Sequence, residues 1–227
     1  MRDLGSFVGT TSAPAGPPLL ASTDFSAERI TRAIDIVIAL AALAFFAPLM
    51  ILVALTIILS GGPVLYRQRR VGRGGALFTC FKFRTMHTDA DGILARVLED
   101  DPVARAEWDR DRKLRNDPRI IKVGSVLRKT SLDELPQILN VLNGSMSIVG
   151  PRPIVQAESH RYGRYLATYC RVRPGITGLW QISGRNGTSY RRRIACDVTY
   201  VRSKSAMGDV RILFKTIPAV CLARGAY

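Results

Sequence analysis

With 227 residues, 47% of them hydrophobic, the chain has room for one ordinary domain plus an appendage, and wholesale disorder is excluded. Lys and Arg number 33 against 18 acids, a net charge of +15, and such a surplus draws polyanions: nucleic acid, lipid headgroups or phosphorylated substrates. Four scattered cysteines without a CxxC pair, and only His87 and His160, argue against a disulfide scaffold, a zinc cluster or histidine-based nucleophilic catalysis.

In chain order, residues 1–27 are rich in Ser, Thr, Ala, Gly and Pro and read as a flexible tail, with no pattern of a cleaved signal peptide. From Ile36 to Leu59 there are 24 consecutive uncharged residues. As a helix about 36 Å long this run could cross a hydrocarbon core of roughly 30 Å, so residues 28–61 form a membrane segment. Pro48 lies mid-run and removes a backbone hydrogen bond. Both flanks are basic, with Arg29 and Arg32 before and Arg67, Arg69, Arg70 and Arg73 after. A helix that breaks at Pro48 and returns to its own face accounts for both features; a Pro-kinked spanning helix is the alternative.

Residues 62–227 turn soluble and mixed. Val64–Tyr66 and Phe78–Phe83, separated by Gly72–Gly75, predict a β-hairpin. Residues 89–115 predict a solvated surface helix or helix pair interrupted at Pro102. Leu132, Leu135, Ile138, Leu139 and Leu142 mark one apolar helix face that ends at Asn143-Gly144. Residues 154–169 read as helical and Pro174–Gly187 as a Gly-rich loop carrying Trp180 and Arg185, while Val210–Leu222 is amphipathic. The fold class is α+β: a mostly helical domain with a small hairpin, attached to the membrane segment.

From Arg119 onward the chain holds 18 Lys or Arg and only five carboxylates, so two adjacent acids, Asp133 and Glu134, stand out. Ser131 and Glu134 match a helix capping box, although Pro136 would then fall past the first turn. Adjacent carboxylates in a basic field can instead hold Mg²⁺ against phosphate oxygens, or attack phosphorus as nucleophiles. Arg84, Arg128, Arg152 and Arg185 occur in loop-like or Gly/Pro-flanked contexts, and phosphoryl transfer asks for such cations. Pro151 and Pro153 fix the backbone around Arg152. Arg191-Arg192-Arg193 reads as a solvated or headgroup-facing patch.

Four segments taken together resemble the bacterial sugar transferases, the monotopic polyprenyl-phosphate phosphoglycosyl transferases. They are Phe81–Met86, Leu127–Gln137, Asn140–Pro153 and Arg173–Asn186. The resemblance runs from about Arg29 to Tyr227 and implies a re-entrant helix broken at Pro48; family members usually carry Ser just before that proline, where this chain has Ala47. It implies that Asp133 attacks the β-phosphate of a UDP-sugar and releases UMP, with Glu134 completing a dyad and Mg²⁺ beside Asp133. Lys82, Arg84, Arg128, Pro151, Arg152, Pro153 and Arg185 fall in segments associated with substrate binding. Undecaprenyl phosphate would then collect the phosphosugar, at the cytoplasmic face of a bacterial inner membrane. The C-terminal Phe214–Tyr227 is similar to galactosyl-phosphate transferases that start exopolysaccharide repeats, which favours galactose over glucose as the sugar. Expected partners are thus UDP-sugar, undecaprenyl phosphate and membrane lipid, without nucleic acid; a homo-oligomer is left open. The rivals are a membrane-anchored basic binder of nucleic acid or lipid without catalysis, and a transferase without a covalent step.

Overall fold

The computed structural model describes residues 25–111, 114–183 and 189–221. Most of the tail expected over 1–27 lies outside them, and Phe25 already begins the first helix, α1 (Phe25–Leu59). From Ile36 onward α1 carries no charge, and Val37, Phe45, Ile51 and Leu59 are all more than half exposed. A water-soluble chain would not leave such a surface open. The helical element continues through Pro48.

One stripe of α1 nevertheless packs on the rest of the chain, at both ends. Ala39 joins a core with Cys80, Ile138, Val141, Met146, Val149, Tyr200 and Ile212. Val53 and Ile57 join a second core with Phe83 and Leu127. Polar hooks reinforce both contacts. Arg32 donates to the carbonyls of Val141 and Leu142 at 2.6 and 2.9 Å. Buried Asp35 accepts from the Ser147 hydroxyl and the Ile148 amide at 3.0 and 2.9 Å. At the far end Arg84 donates to the carbonyl of Ile57 and the hydroxyl of Ser60, at 3.2 and 3.0 Å.

The predicted hairpin is present: β1 (Leu65–Val71) pairs antiparallel with β2 (Leu77–Phe83). Its turn needs Gly74 and Gly75 at φ 68° and 80°, a region costly for other residues. The charged stretch forms two helices, α2 (Ala90–Asp100) and α3 (Pro102–Asp111). Pro102 opens the second, where a missing N–H is harmless, and Asp101 accepts from the amides of Val103 and Ala104. Together they form an arm in which α2 buries no residue.

Next come α4 (Lys122–Thr130), a 3-10 turn (Leu132–Glu134) and α5 (Gln137–Leu142). The apolar face expected from Leu132 to Leu142 is therefore not one helix. Ser131 adopts a left-handed conformation, φ 59°, that ends α4, and Pro136 lies at the junction before α5. Ile138 and Val141 are buried while Leu139 is 36% exposed, so α5 presents a different face from the one its leucines suggested.

β3 (Ser147–Val149) pairs in parallel with β4 (Gly175–Thr177), so the stretch expected to be a loop over 174–187 contains a strand and then a short helix, α8 (Leu179–Ile182). Backbones there approach closely: a Cβ on Gly175 would lie 2.0 Å from the Gly150 amide nitrogen. Residues between them form short helical pieces, α6 (Ser159–Tyr162) and α7 (Leu166–Tyr169), separated by 3-10 turns. The chain closes with α9 (Tyr190–Arg202) and α10 (Ala206–Cys221). In α10 Ile212 is buried while Met207, Phe214 and Ile217 are well exposed, so apolar side chains lie on the open side of this helix as well as on its packed side.

Candidate active site

The acid pair sits on the 3-10 turn between α4 and α5, and the helix-cap explanation for it fails. Ser131 makes no side-chain cap bond. Glu134 points instead at cations from two other elements. Lys82 of β2 donates to its Oε1 at 2.7 Å and approaches Oδ2 of Asp133 at 3.5 Å. Arg152 approaches the same Glu134 oxygen at 3.4 Å.

Strand alternation explains Lys82: Cys80 and Lys82 share one face of β2, and both line a shallow cleft with Glu134, Gln137, Arg70 and Arg152. Asn140 fixes β2 relative to the acid turn. Fully buried in α5, it donates to the Thr79 carbonyl at 2.7 Å and accepts from the Phe81 amide at 2.9 Å. A one-residue slip of β2 would turn Lys82 away from the acids.

Arg152 is placed by a rigid frame. Pro151 and Pro153 are buried on either side of it. The Pro151 carbonyl accepts from the Gly175 amide at 2.9 Å, and the Pro153 carbonyl from Arg70 at 3.0 Å. Tyr169 donates to the carbonyls of Val71 and Arg152 at 3.2 and 3.3 Å. Asp197 of α9, 1% exposed, accepts from the Tyr162 hydroxyl at 2.7 Å and faces the Arg152 backbone amide.

The two neighbouring acids therefore differ. Burial raises the Asp133 carboxyl above its ordinary value, opposed by Lys82 and reinforced by the charge of Glu134. Burial also acts on Glu134, but Arg152 and Lys82 outweigh it and hold that carboxyl down at about 2. Glu134 is a fixed counter-ion. Asp133 is the more basic acid and, beyond the long contact to Lys82, makes no hydrogen bond among the described residues.

The other expected residues divide. Arg128 donates its Nε–H to the Thr85 hydroxyl at 2.9 Å, and its charge reaches Asp133. Gly124 allows this approach, since a Cβ there would lie 2.2 Å from the Thr85 carbonyl oxygen. Arg84 stands apart from the cleft: its guanidinium is engaged by Pro63, Met86, Ile57, Ser60 and Gly61 at the end of α1. Arg185 lies outside the described residues. Within the basic run, Arg191 and Arg192 are exposed as expected, but Arg193 is only 8% exposed. Arg70, Arg193 and Asp197 are thus neighbours of the site that the linear pattern did not single out. For α9 a signal existed: Arg193, Asp197 and Tyr200 recur at helical spacing on one buried face.

Among the described residues no three His, Cys, Asp or Glu side chains gather as a metal cage. With the Oε1 of Glu134 held by Lys82 and approached by Arg152, Asp133 is the carboxylate with capacity to spare. That donor set suits Mg²⁺, which takes one or two carboxylates and completes its shell with water and phosphate.

Comparison with known proteins shows the family. A family model described as "Bacterial sugar transferase" matches residues 26–223. The chain is 52% identical over 197 residues to "Exopolysaccharide production protein ExoY" of Sinorhizobium fredii, covering 86% of this chain and 87% of that one. It is 48% identical over 202 residues to "Undecaprenyl-phosphate galactose phosphotransferase" of Salmonella typhimurium, covering 89% of this chain but only 42% of that relative. It is 41% identical over 226 residues to "UDP-glucose:undecaprenyl-phosphate glucose-1-phosphate transferase" of Caulobacter vibrioides, covering 96% of this chain and 78% of the other. With an apolar membrane-type helix, a carboxylate pair ringed by cations and a family match spanning nearly its whole length, the chain belongs to the bacterial sugar transferase family.

Proposed function

We propose that this protein transfers a sugar-1-phosphate from a UDP-sugar to undecaprenyl phosphate, as the first step of exopolysaccharide assembly. The observation that carries the reading is the split between two adjacent acids, Glu134 neutralised by Lys82 and Arg152, and Asp133 the more basic, held only by a long contact to Lys82 among the described residues. An oxygen of Asp133 attacks the β-phosphorus, and the bond from that phosphorus to the bridging oxygen breaks, so UMP leaves with the electron pair. An oxygen of the lipid phosphate then attacks the same phosphorus, expelling the Asp133 carboxylate and forming the lipid diphosphate-sugar. The acceptor is already an anion, so the sequence needs no strong general base. Lys82, Arg128 and Arg152 hold phosphate oxygens and oppose the charge that builds on them. Mg²⁺, when bound at Asp133, supplies further neutralisation of the diphosphate.

The membrane segment is re-entrant on this reading, with both flanks and the catalytic domain on the cytoplasmic side. Asp35 and Ile57 are about 33 Å apart along a straight helix, more than a hydrocarbon core is thick, yet both ends of α1 hold the same domain. A crossing helix would carry one end away. Single cysteines in residues 1–24 and after Gly62 test this: labelling of the former from the periplasmic side overturns it.

Galactose is the proposed sugar, with glucose the competitor, since relatives named for each sugar are present. Purified protein with Mg²⁺, undecaprenyl phosphate and a panel of UDP-sugars should release UMP, most rapidly with UDP-galactose. A UMP burst without the lipid is expected from the covalent step, and its strict dependence on lipid would favour direct transfer. No UMP release with any donor would defeat the assignment.

A further inference from the structure

On the Trp180 side of the cleft, three arginines meet too few carboxylates. The Arg152 guanidinium lies 5.6 Å from the indole centroid, and that of Arg193 lies 5.2 Å from it and 5.2 Å from the Tyr190 ring. Arg70 lines the cleft beside Arg152 and donates to the Pro153 carbonyl at 3.0 Å. Their counter-charges are otherwise committed. Glu134, 3.4 Å from Arg152, is held more closely by Lys82 at 2.7 Å. Glu158 reaches Arg193 only at 3.9 Å, beyond hydrogen-bond range. Asp197 bonds the Tyr162 hydroxyl, and its charge reaches Arg193 and Arg152 without a direct ion pair to either among the described residues.

The shortage shows in the donors. Arg193 is 8% exposed, yet its Nε and one terminal nitrogen have no partner among the described residues, and the same holds for the Nε of Arg70. Burying a cation with incomplete hydrogen bonding and only a long ion pair is unfavourable, and a well-packed apolar side chain of similar size would commonly be as stable or more so. Aromatic stacking offsets part of this cost but does not supply a negative charge. Arg193 is therefore held in a state that folding alone favours little, over the same Trp180 ring as Arg152, which faces the cleft.

We propose that Arg70, Arg152 and Arg193 form an anion subsite for a phosphate monoester dianion, in which Arg193 is a positioning cation. It acts through the field it adds near Arg152, with which it shares the Trp180 ring, and need not touch the ligand. In a partly buried setting, a charge at that depth still contributes strongly to the potential in the cleft. This deepens the transfer reading and rests on it for the identity of the ligand: the dianion is either the phosphate of departing UMP or that of the incoming lipid.

The test uses the full chain in nanodiscs and two variants. Arg193→Met keeps an unbranched side chain of similar reach against Trp180 and removes the charge, while Arg193→Lys keeps the charge without the fork. Calorimetric titration with UMP, with a short-chain polyprenyl phosphate and with inorganic phosphate should show binding roughly tenfold weaker in Arg193→Met for at least one monoester, and largely restored in Arg193→Lys. Uridine should bind all three proteins alike. Whichever monoester loses affinity identifies the source of the phosphate. The Arg193→Met protein without ligand should melt no lower than wild type. A lower melting temperature, or failure to fold, would mark Arg193 as a structural cation and overturn the proposal. So would unchanged binding of both monoesters and of inorganic phosphate. Inorganic phosphate separates the two hypotheses: weaker phosphate binding in Arg193→Met, with no UMP release by wild type from any UDP-sugar, would uphold the subsite and defeat the transfer reading.

Discussion

Helices α3 and α9 are both short, polar and crowded with charge, yet they do opposite things. In the α2–α3 arm the charged residues Arg96, Glu99, Asp100, Arg105 and Asp109 are all exposed. In α9, Arg193 and Asp197 turn inward against Trp180, Tyr190 and Tyr162. The arm is joined to the domain near Trp108, over which buried Arg119 stacks at 5.0 Å while it pairs with Asp117. Neighbours, rather than charge density, decide whether an ion is solvated decoration or part of a site. The same number of charges contributes little where water screens them and a great deal where a cleft confines them.

The comparison breaks most visibly at the acid turn. Asp133→Asn should lower UMP release by roughly 10⁴-fold or more, in line with loss of a nucleophile, while the protein stays folded and membrane-bound. On the proposed mechanism the acid limb of kcat/KM follows the ionisation of Asp133. There Asp133 must be ionised to attack, burial raises its carboxyl above the ordinary value, and activity should be lost as pH falls through that raised value. Near-normal turnover of the variant would remove Asp133 from the chemistry.

Glu134→Gln should impair turnover and also destabilise the fold, by about 1–3 kcal/mol, because Lys82 and Arg152 lose their shared counter-charge. Chemical denaturation reads the second effect. The linkage has a definite sign: with the folded-state pKa held down at about 2, the stabilisation is present above the unfolded value and is lost as pH falls. The variant should therefore lose less stability on acidification between roughly pH 5 and 2 than the parent.

Asp197 predicts the opposite slope. Its folded-state pKa is raised to about 6, so the folded protein keeps a proton that the unfolded chain releases. Between roughly pH 4 and 6 this group alone should reduce stability by about 3 kcal/mol as pH rises. Asp197→Asn should remove that component of the pH dependence, and denaturation at two pH values shows whether it does. The smallest effect belongs to the arm. Arg96 and Asp89 are paired at 3.2 Å but are about 70% exposed, so Arg96→Ala should change stability by less than about 0.5 kcal/mol and leave UMP release unaltered.

Sequence alone determined what depends on local pattern and on contrast. The uncharged run from Ile36 to Leu59 is legible because hydrocarbon tolerates few charges, and the hairpin because Gly74 and Gly75 permit its turn. Asp133 and Glu134 stood out because acids are scarce beyond Arg119. Tertiary structure decided what those residues do. The S-x-x-E pattern looked like a helix cap until Lys82, fifty residues earlier in the chain, was found beside Glu134. Arg84 and Arg152 looked alike, but one holds the end of α1 and the other faces the acids. Arg193 reads as one of three solvated arginines until α9 is docked and its side chain falls against Trp180. Hydrophobic periodicity can indicate that a face is buried, whereas the electrostatic role of a charge depends on partners brought from distant segments, and only the folded chain fixes those distances.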